Sequence, residues 1–385
     1  MSLNTASEAL NSAKEITERG LEFLRTNRNP EEHQVFLYDL SHASSAIAIA
    51  ESFLSFAEKG EEEKGMVELF CADTLRSVAA MCFGREGVWS LRSSTLDVLN
   101  QYVAEHGTPQ KYSSASFSSQ KSHLSDDLEL VAKTFRRFGK DHIEHLAEQV
   151  HRKDLDVPEE IIAGLAQMGC FGLSIPEEYG GSASGSIKDM YGMVIATEEL
   201  SRASLSIGGS LITRPEILAR AIENGGTDEQ KRTLLPKIAS GDLMSAVAVT
   251  EPDHGSDVAS IAMSARPEPS GGWKLNGVKT WCTFAGRADL LMVLARTNPD
   301  TSQGHRGLSV FVVEKERADG HSFDFQQESG GRMQGKAIPT LGYRGMHSFE
   351  IAFQDWVVPE DSLIGGIEGE GKGFYLQMAG FENGR

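Results

Sequence analysis

The densest run of chemistry-bearing residues is Val249-Thr-Glu-Pro-Asp-His-Gly-Ser-Asp257, followed further along by Trp281-Cys282-Thr283. A strand that ends in Thr-Glu-Pro and turns through Gly and Ser presents hydroxyls and free backbone N–H groups along one rim of a sheet, which suits a polar, partly aromatic cofactor. A flat heterocycle needs an apolar or aromatic face to lie on and a few donors aimed at its edge. Trp281 and Thr283, two apart in a strand, share one side and offer both. Cys282 between them faces the other way and fills the core. An ordinary buried strand Trp beside a terminal Thr meets the same spacing, so residue types alone leave both readings open. His254 reads as a loop residue facing solvent.

Metal chemistry is not expected. Cys71, Cys82, Cys170 and Cys282 are scattered with no CxxC pair, which suggests neither a zinc site nor a disulfide framework and fits a reducing compartment. The chain has 385 residues, 40% apolar and 24% charged, which excludes a disordered or collagen-like protein and allows two or three domains. A formal net charge of -18 disfavours phosphate backbones and anionic lipid as general partners. No window reaches the roughly 20 apolar residues of a membrane span. The first residues, rich in Glu and without an apolar core, resemble neither a secretory signal nor a transit peptide, so the expected location is the cytoplasm.

The rim has to be carried by a sheet, and the sequence supplies one late in the chain. Alternating and β-branched runs lie at 246–250, 273–275, 290–295, 308–313 and 349–353, with Ser270-Gly-Gly272 and Asn276-Gly277 as hairpin turns. Before them come helical patterns. Residues 1–106 read as an N-terminal helical extension of about four helices, broken at Asn27-Arg28-Asn29-Pro30, at Gly60 and near Gly84. A Ser-rich linker over 107–123 follows. Residues 124–244 form a second helical domain, with a helix starting at Pro158, another over 190–202 and a capped start at Thr227. The expected fold class is therefore α+β and multidomain, with an antiparallel, barrel-like β domain over 245–366 and the start of a further helical domain over 367–385.

The order Met168-Gly-Cys-Phe-Gly-Leu-Ser-Ile-Pro-Glu-Glu-Tyr-Gly-Gly181, Glu198-Glu-Leu-Ser-Arg202, the Thr-Glu-Pro run, Leu275-Asn-Gly-Val-Lys-Thr-Trp-Cys-Thr283, Leu341-Gly-Tyr-Arg-Gly345 and the stretch from Gly373 to Arg385 closely resembles the acyl-CoA dehydrogenase family. The resemblance runs from about Leu124 to the end. It implies FAD held between the β domain and a C-terminal four-helix domain. Val249 and Thr250 would meet the pyrimidine end of the flavin, Gly255 and Ser256 its diphosphate. Trp281 would pack on the ring and Thr283 would bond near N5. Ser256 would also touch the pantetheine of an acyl-CoA substrate, as would the pair Glu382 and Arg385. Arg214 falls where relatives line the acyl pocket, and a terminal carboxylate on the substrate would call for its guanidinium.

The implied reaction removes the α-proton of an acyl-CoA thioester while a β-hydride moves to the flavin. An α-proton is too weakly acidic for a free carboxylate, so the thioester oxygen has to be hydrogen-bonded as charge develops. The resemblance also implies a homodimer or homotetramer and electron transfer to an electron-transferring flavoprotein. It names no catalytic base here. The family's Glu usually lies in the third domain, beyond Phe381-Glu-Asn-Gly-Arg385, and Gly384 stands where a minority subclass carries its base. The base is therefore expected in a missing C-terminal domain, the chain being a fragment or completed by a second polypeptide. A non-catalytic flavin-binding subunit that needs such a partner is the competing reading. The helical extension resembles that of a family member acting on a short, branched, carboxylated acyl-CoA.

Overall fold

Helical periodicity in the first hundred residues and strand periodicity in the last hundred and forty both become structure, in two compact units covering Met1–Ser122 and His123–Arg385. The computed structural model describes residues 2–27, 29–91, 93–115 and 122–381.

In the first unit, α1 (Ser2–Thr26), α2 (Gln34–Phe53), α3 (Glu61–Cys82) and α4 (Asp97–His106) are the helices that the spacing predicts. They bury a stripe from each of the first three: Leu10, Ala13 and Ile16, then Leu40, Ala43 and Ile47, then Val67, Cys71, Leu75 and Val78. Burial of such side chains gives about 1.5–3 kcal/mol each, which sets the packing where propensity alone would not. The 107–123 segment departs from a plain linker, because α5 (Pro109–Ser114) lies inside it. Thr108 caps that helix by accepting from Lys111 N, and Pro109 at its first position has no N–H to leave orphaned. These start signals were hidden among the serines.

The second unit begins with α6 (Asp126–Phe138), which passes through a π-helical turn at Gly139–Ile143 into α7 (Glu144–Lys153). Then come α8 (Glu159–Gln167), α9 (Ile187–Ala203), α10 (Ser210–Gly225) and α11 (Asp228–Ala239). Thr227 forms the capping box expected at the start of α11, with Gln230 reaching back to it. The Ser-Ile-Pro-Glu-Glu-Tyr-Gly-Gly loop folds tightly on itself. A Cβ at Gly181 would stand 1.9 Å from Ile175 O, so only glycine fits there.

The sheet comprises β1 (Ser245–Ala248), β2 (Ser264–Pro267), β3 (Trp273–Thr283), β4 (Leu290–Arg296), β5 (Leu308–Glu314), β6 (Ser322–Gln326), β7 (Arg332–Ala337) and β8 (Ser348–Val358). A last helix, α12 (Gly373–Gly380), follows. Strand order is β1-β4-β2-β3-β8-β7-β6, with β5 beside β4. The expected antiparallel sheet is in fact mixed: β1 runs parallel to β4, and β2 meets β4 in a parallel bridge. Every residue of β4 is buried, as a strand covered on both faces requires, and an unbroken apolar run carries no direction signal.

Asn276-Gly277, expected as a hairpin turn, instead lies within β3 at a shift of register against β8. Asn276 is tied across the pair, its side chain donating to Asp355 Oδ1 and accepting from Asp355 N. Gly277 takes φ +148 with Met263 packed where a Cβ would go, 2.8 Å away. The dipeptide serves as a bulge, where the same freedom of φ is needed.

Candidate functional site

The loop after β1 is built on one buried carboxylate. Glu251 accepts from Ala262 N at 2.7 Å, from Met263 N at 2.9 Å and from Lys279 Nζ at 2.9 Å. Lys279, on β3, has no exposed surface and donates also to Val249 O at 2.8 Å. Burial pushes the ammonium's pKa down, and Glu251 opposes that shift. Thr280 N adds a bond to Thr250 O at 2.8 Å. Val249 and Thr250 are thereby fixed against β3 before any ligand arrives.

One step further along, β3 slips register against β8 between Lys279 and Cys282. Trp281 takes φ +58, and the residue is 55% exposed. A left-handed backbone costs a bulky residue of order 1–3 kcal/mol, a strain that is characteristic of functional sites. Cys282 is fully buried and its thiol is pushed up to about 12, as befits core filler. Thr283 Oγ1 lies 2.8 Å from Ser348 Oγ on β8, which holds its hydroxyl at the strand's end.

Arg214, Val249, Thr250, Gly255 and Trp281 line one cavity of about 230 Å³, together with Gln377 of α12. Arg214 is half-buried on α10, and its Nε has no partner among the described residues. Gln377 is 1% exposed with Oε1 likewise unpartnered. A buried polar atom left alone costs about 1–3 kcal/mol, so Arg214 and Gln377 bring an unmet donor and an unmet acceptor to the wall of this cavity. Gly255 is required neither by a positive φ nor by crowding, since a Cβ there would meet only Thr250 Cγ2 at 3.8 Å. The open space belongs to whatever approaches the loop.

Of the residues singled out from sequence, Ser256, exposed on the same loop, and Thr283, at the end of β3, do not line this cavity. Glu382 and Arg385 lie outside the described residues. Sequence reasoning missed Lys279, Glu251 and Gln377 as site builders. A lysine inside a strand and a glutamine between Leu376 and Met378 were the available signals, because a polar residue on an apolar face has to find a partner.

Residues 125–242 match the family model for the acyl-CoA dehydrogenase N-terminal domain, and residues 246–356 match that for the middle domain. The chain belongs to the acyl-CoA dehydrogenase family. This acyl-CoA dehydrogenase family member is 41% identical over 265 residues to (2S)-methylsuccinyl-CoA dehydrogenase of Cereibacter sphaeroides, a match that covers 69% of this chain and 46% of that relative. It spans about half the length of that curated protein. Among solved structures it is similar to the glutaryl-coenzyme A dehydrogenase glutaryl-CoA complex, with TM-score 0.59, 28% identity, and 69% and 62% of the two chains covered. It is also similar to the structure of PigA with FAD and proline, with TM-score 0.56, 26% identity, and 69% and 64% covered. Neither domain model reaches residues 1–122. No described helix is long and apolar enough to cross a membrane.

Proposed function

We propose that the protein carries out FAD-dependent α,β-dehydrogenation of a short, branched or carboxylated acyl-CoA thioester, with (2S)-methylsuccinyl-CoA to mesaconyl-CoA as the best-fitting pair. The observation that carries this reading is the cavity that Arg214, its Nε unpartnered among the described residues, lines together with Thr250 and Trp281.

The rim fits a flavin. Its exposed Trp281 offers a stacking face, the prearranged Val249 and Thr250 line the same cavity, and the space over Gly255 admits a close approach. In this reading Val249 and Thr250 hold the pyrimidine end, Gly255 and Ser256 the diphosphate, Trp281 the ring face and Thr283 the N5 edge. Bound FAD supplies the acceptor for the β-hydride. The chain's own residues orient the reactants: Thr283 is held by Ser348, and Arg214 meets a substrate carboxylate with a charge-assisted bond. Glu382, Arg385 and Ser256 contact the pantetheine side. No described residue is assigned as the base.

The same reading makes the protein a cytoplasmic homo-oligomer that passes electrons to an electron-transferring flavoprotein. Four free, buried cysteines support the reducing compartment.

Substitution of Arg214 by Met tests the substrate class. Turnover of the carboxylated thioester is expected to fall about 10-fold or more, and that of butyryl-CoA to change little, since a charge-assisted hydrogen bond gives about 1.5–3 kcal/mol. Equal losses on both substrates would remove the assignment.

A further inference from the structure

Three side chains outside the cavity above converge from three separate elements. Asp154 ends α7 in a left-handed turn at φ 53, His321 immediately precedes β6, and His347 immediately precedes β8. Their ligand atoms all lie within 4.8 Å of one another. His347 Nε2 is 3.2 Å from Asp154 Oδ1, His321 Nε2 is 3.8 Å from Asp154 Oδ2, and the two imidazole centroids are 4.3 Å apart.

We propose that Asp154, His321 and His347 form a site for a divalent transition-metal ion of the zinc class, joining the end of α7 to the starts of β6 and β8. Zinc takes imidazole nitrogen and carboxylate oxygen at about 2.0–2.2 Å, which places ligand atoms in a tetrahedral set roughly 3.3 Å apart. The 3.2 Å spacing already matches, and the 3.8 Å one closes when the half-exposed His321 swings from Asp154 O, which its Nε2 meets at 3.1 Å, to the carboxylate.

The surroundings of His347 are those of a ligand. It is 6% exposed, and its second nitrogen, Nδ1, lies 3.0 Å from Asp156 Oδ1. Asp156 is itself fixed, its Oδ2 accepting from Gly320 N at 2.7 Å. A carboxylate on Nδ1 holds that proton in place, directs Nε2 toward Asp154 and His321, and raises the ligand's basicity; a bound ion takes the place of the proton that Nε2 shares with Asp154 Oδ1. Arg344 stands 3.5 Å from Asp154 Oδ1 and donates to His151 O, so it steadies the end of α7 that carries Asp154. Two imidazoles and one carboxylate leave a fourth position for water. No sequence motif betrays the set, because its members are separated by most of the β domain.

The test uses the full chain, stripped with a chelator and titrated with Co²⁺ as a spectroscopic stand-in, then with Zn²⁺ alone. Visible bands of tetrahedral cobalt saturating at one equivalent, bleached by Zn²⁺ and absent in His321→Ala and His347→Ala, are the expected result. Asp156→Asn should weaken binding about 10- to 100-fold. His321 is half-exposed, so its variant keeps the fold, which circular dichroism verifies, and its melting temperature should no longer rise with Zn²⁺ as the parent's does. Absence of cobalt bands, or binding of equal stoichiometry and strength in His321→Ala, would overturn the site and leave His347 as a protonated bridge between Asp154 and Asp156. Neither result depends on flavin or on turnover.

Discussion

Lys279 Nζ lies 2.9 Å from Glu251 Oε1 in a position with no solvent exposure, and the same ammonium reaches Val249 O. This pair joins β3 to the loop that carries the candidate cofactor contacts. Removing one partner of a buried pair strands the other's charge and costs about 3–5 kcal/mol. Lys279→Met should lower the unfolding free energy by about that amount in denaturant titrations. A loss under about 1 kcal/mol would show that the pair does not organise the loop.

Trp281 combines a strained φ of +58 with solvent exposure, so its value lies in what it contacts rather than in the fold. Trp281→Gly should leave the thermal stability of the ligand-free protein unchanged within about 1 kcal/mol, since strain relief offsets glycine's added chain entropy. Its affinity for FAD should fall about 3- to 10-fold, the worth of an aromatic face contact. Thermal melts measure the first arm against the parent, and fluorescence titration with FAD the second.

The thiols should be silent. Burial pushes Cys71 up to about 11, and Cys82, Cys170 and Cys282 up to about 12. The thiolate is the reactive form, so the native protein should take up essentially no thiol reagent at pH 8 and four equivalents after denaturation. Rapid native labelling at any one of them would contradict their placement.

Glu199 on α9 is buried and receives hydrogen bonds from Arg136, which hold its carboxyl below the usual range. A depressed carboxylate pKa adds stability above the ordinary value, and that stability is lost as pH falls through the lowered one. At neutral pH Glu199→Gln should be less stable than the parent by about 1–3 kcal/mol. The gap should narrow as pH drops below the ordinary 4.5. Melting temperatures across that range measure it, and a gap constant with pH would contradict the ionic role.

Much of this was legible in the chain. Period and capping placed the helices, Thr227 and Gly60 marked true boundaries, and the alternation of Trp281, Cys282 and Thr283 correctly put Cys282 inside. Short strands escaped notice: β2, β6 and β7 carry residues such as Arg266, Asp324 and Lys336 on solvent faces and lack long apolar runs. Asn276-Gly277 misled because one dipeptide serves both hairpins and bulges, and only pairing with Asp355 decides between them. The ion pair of Glu251 with Lys279 and the meeting of Arg214 and Gln377 around one cavity depend on topology that local pattern does not encode.

The most direct test is an anaerobic titration of the FAD-loaded protein with (2S)-methylsuccinyl-CoA and then butyryl-CoA, following the visible absorbance of oxidised flavin. Bleaching by the carboxylated thioester at lower concentration than by butyryl-CoA is the predicted result. A protein that binds no FAD, or whose flavin stays oxidised with every short acyl-CoA, would contradict the proposed dehydrogenation.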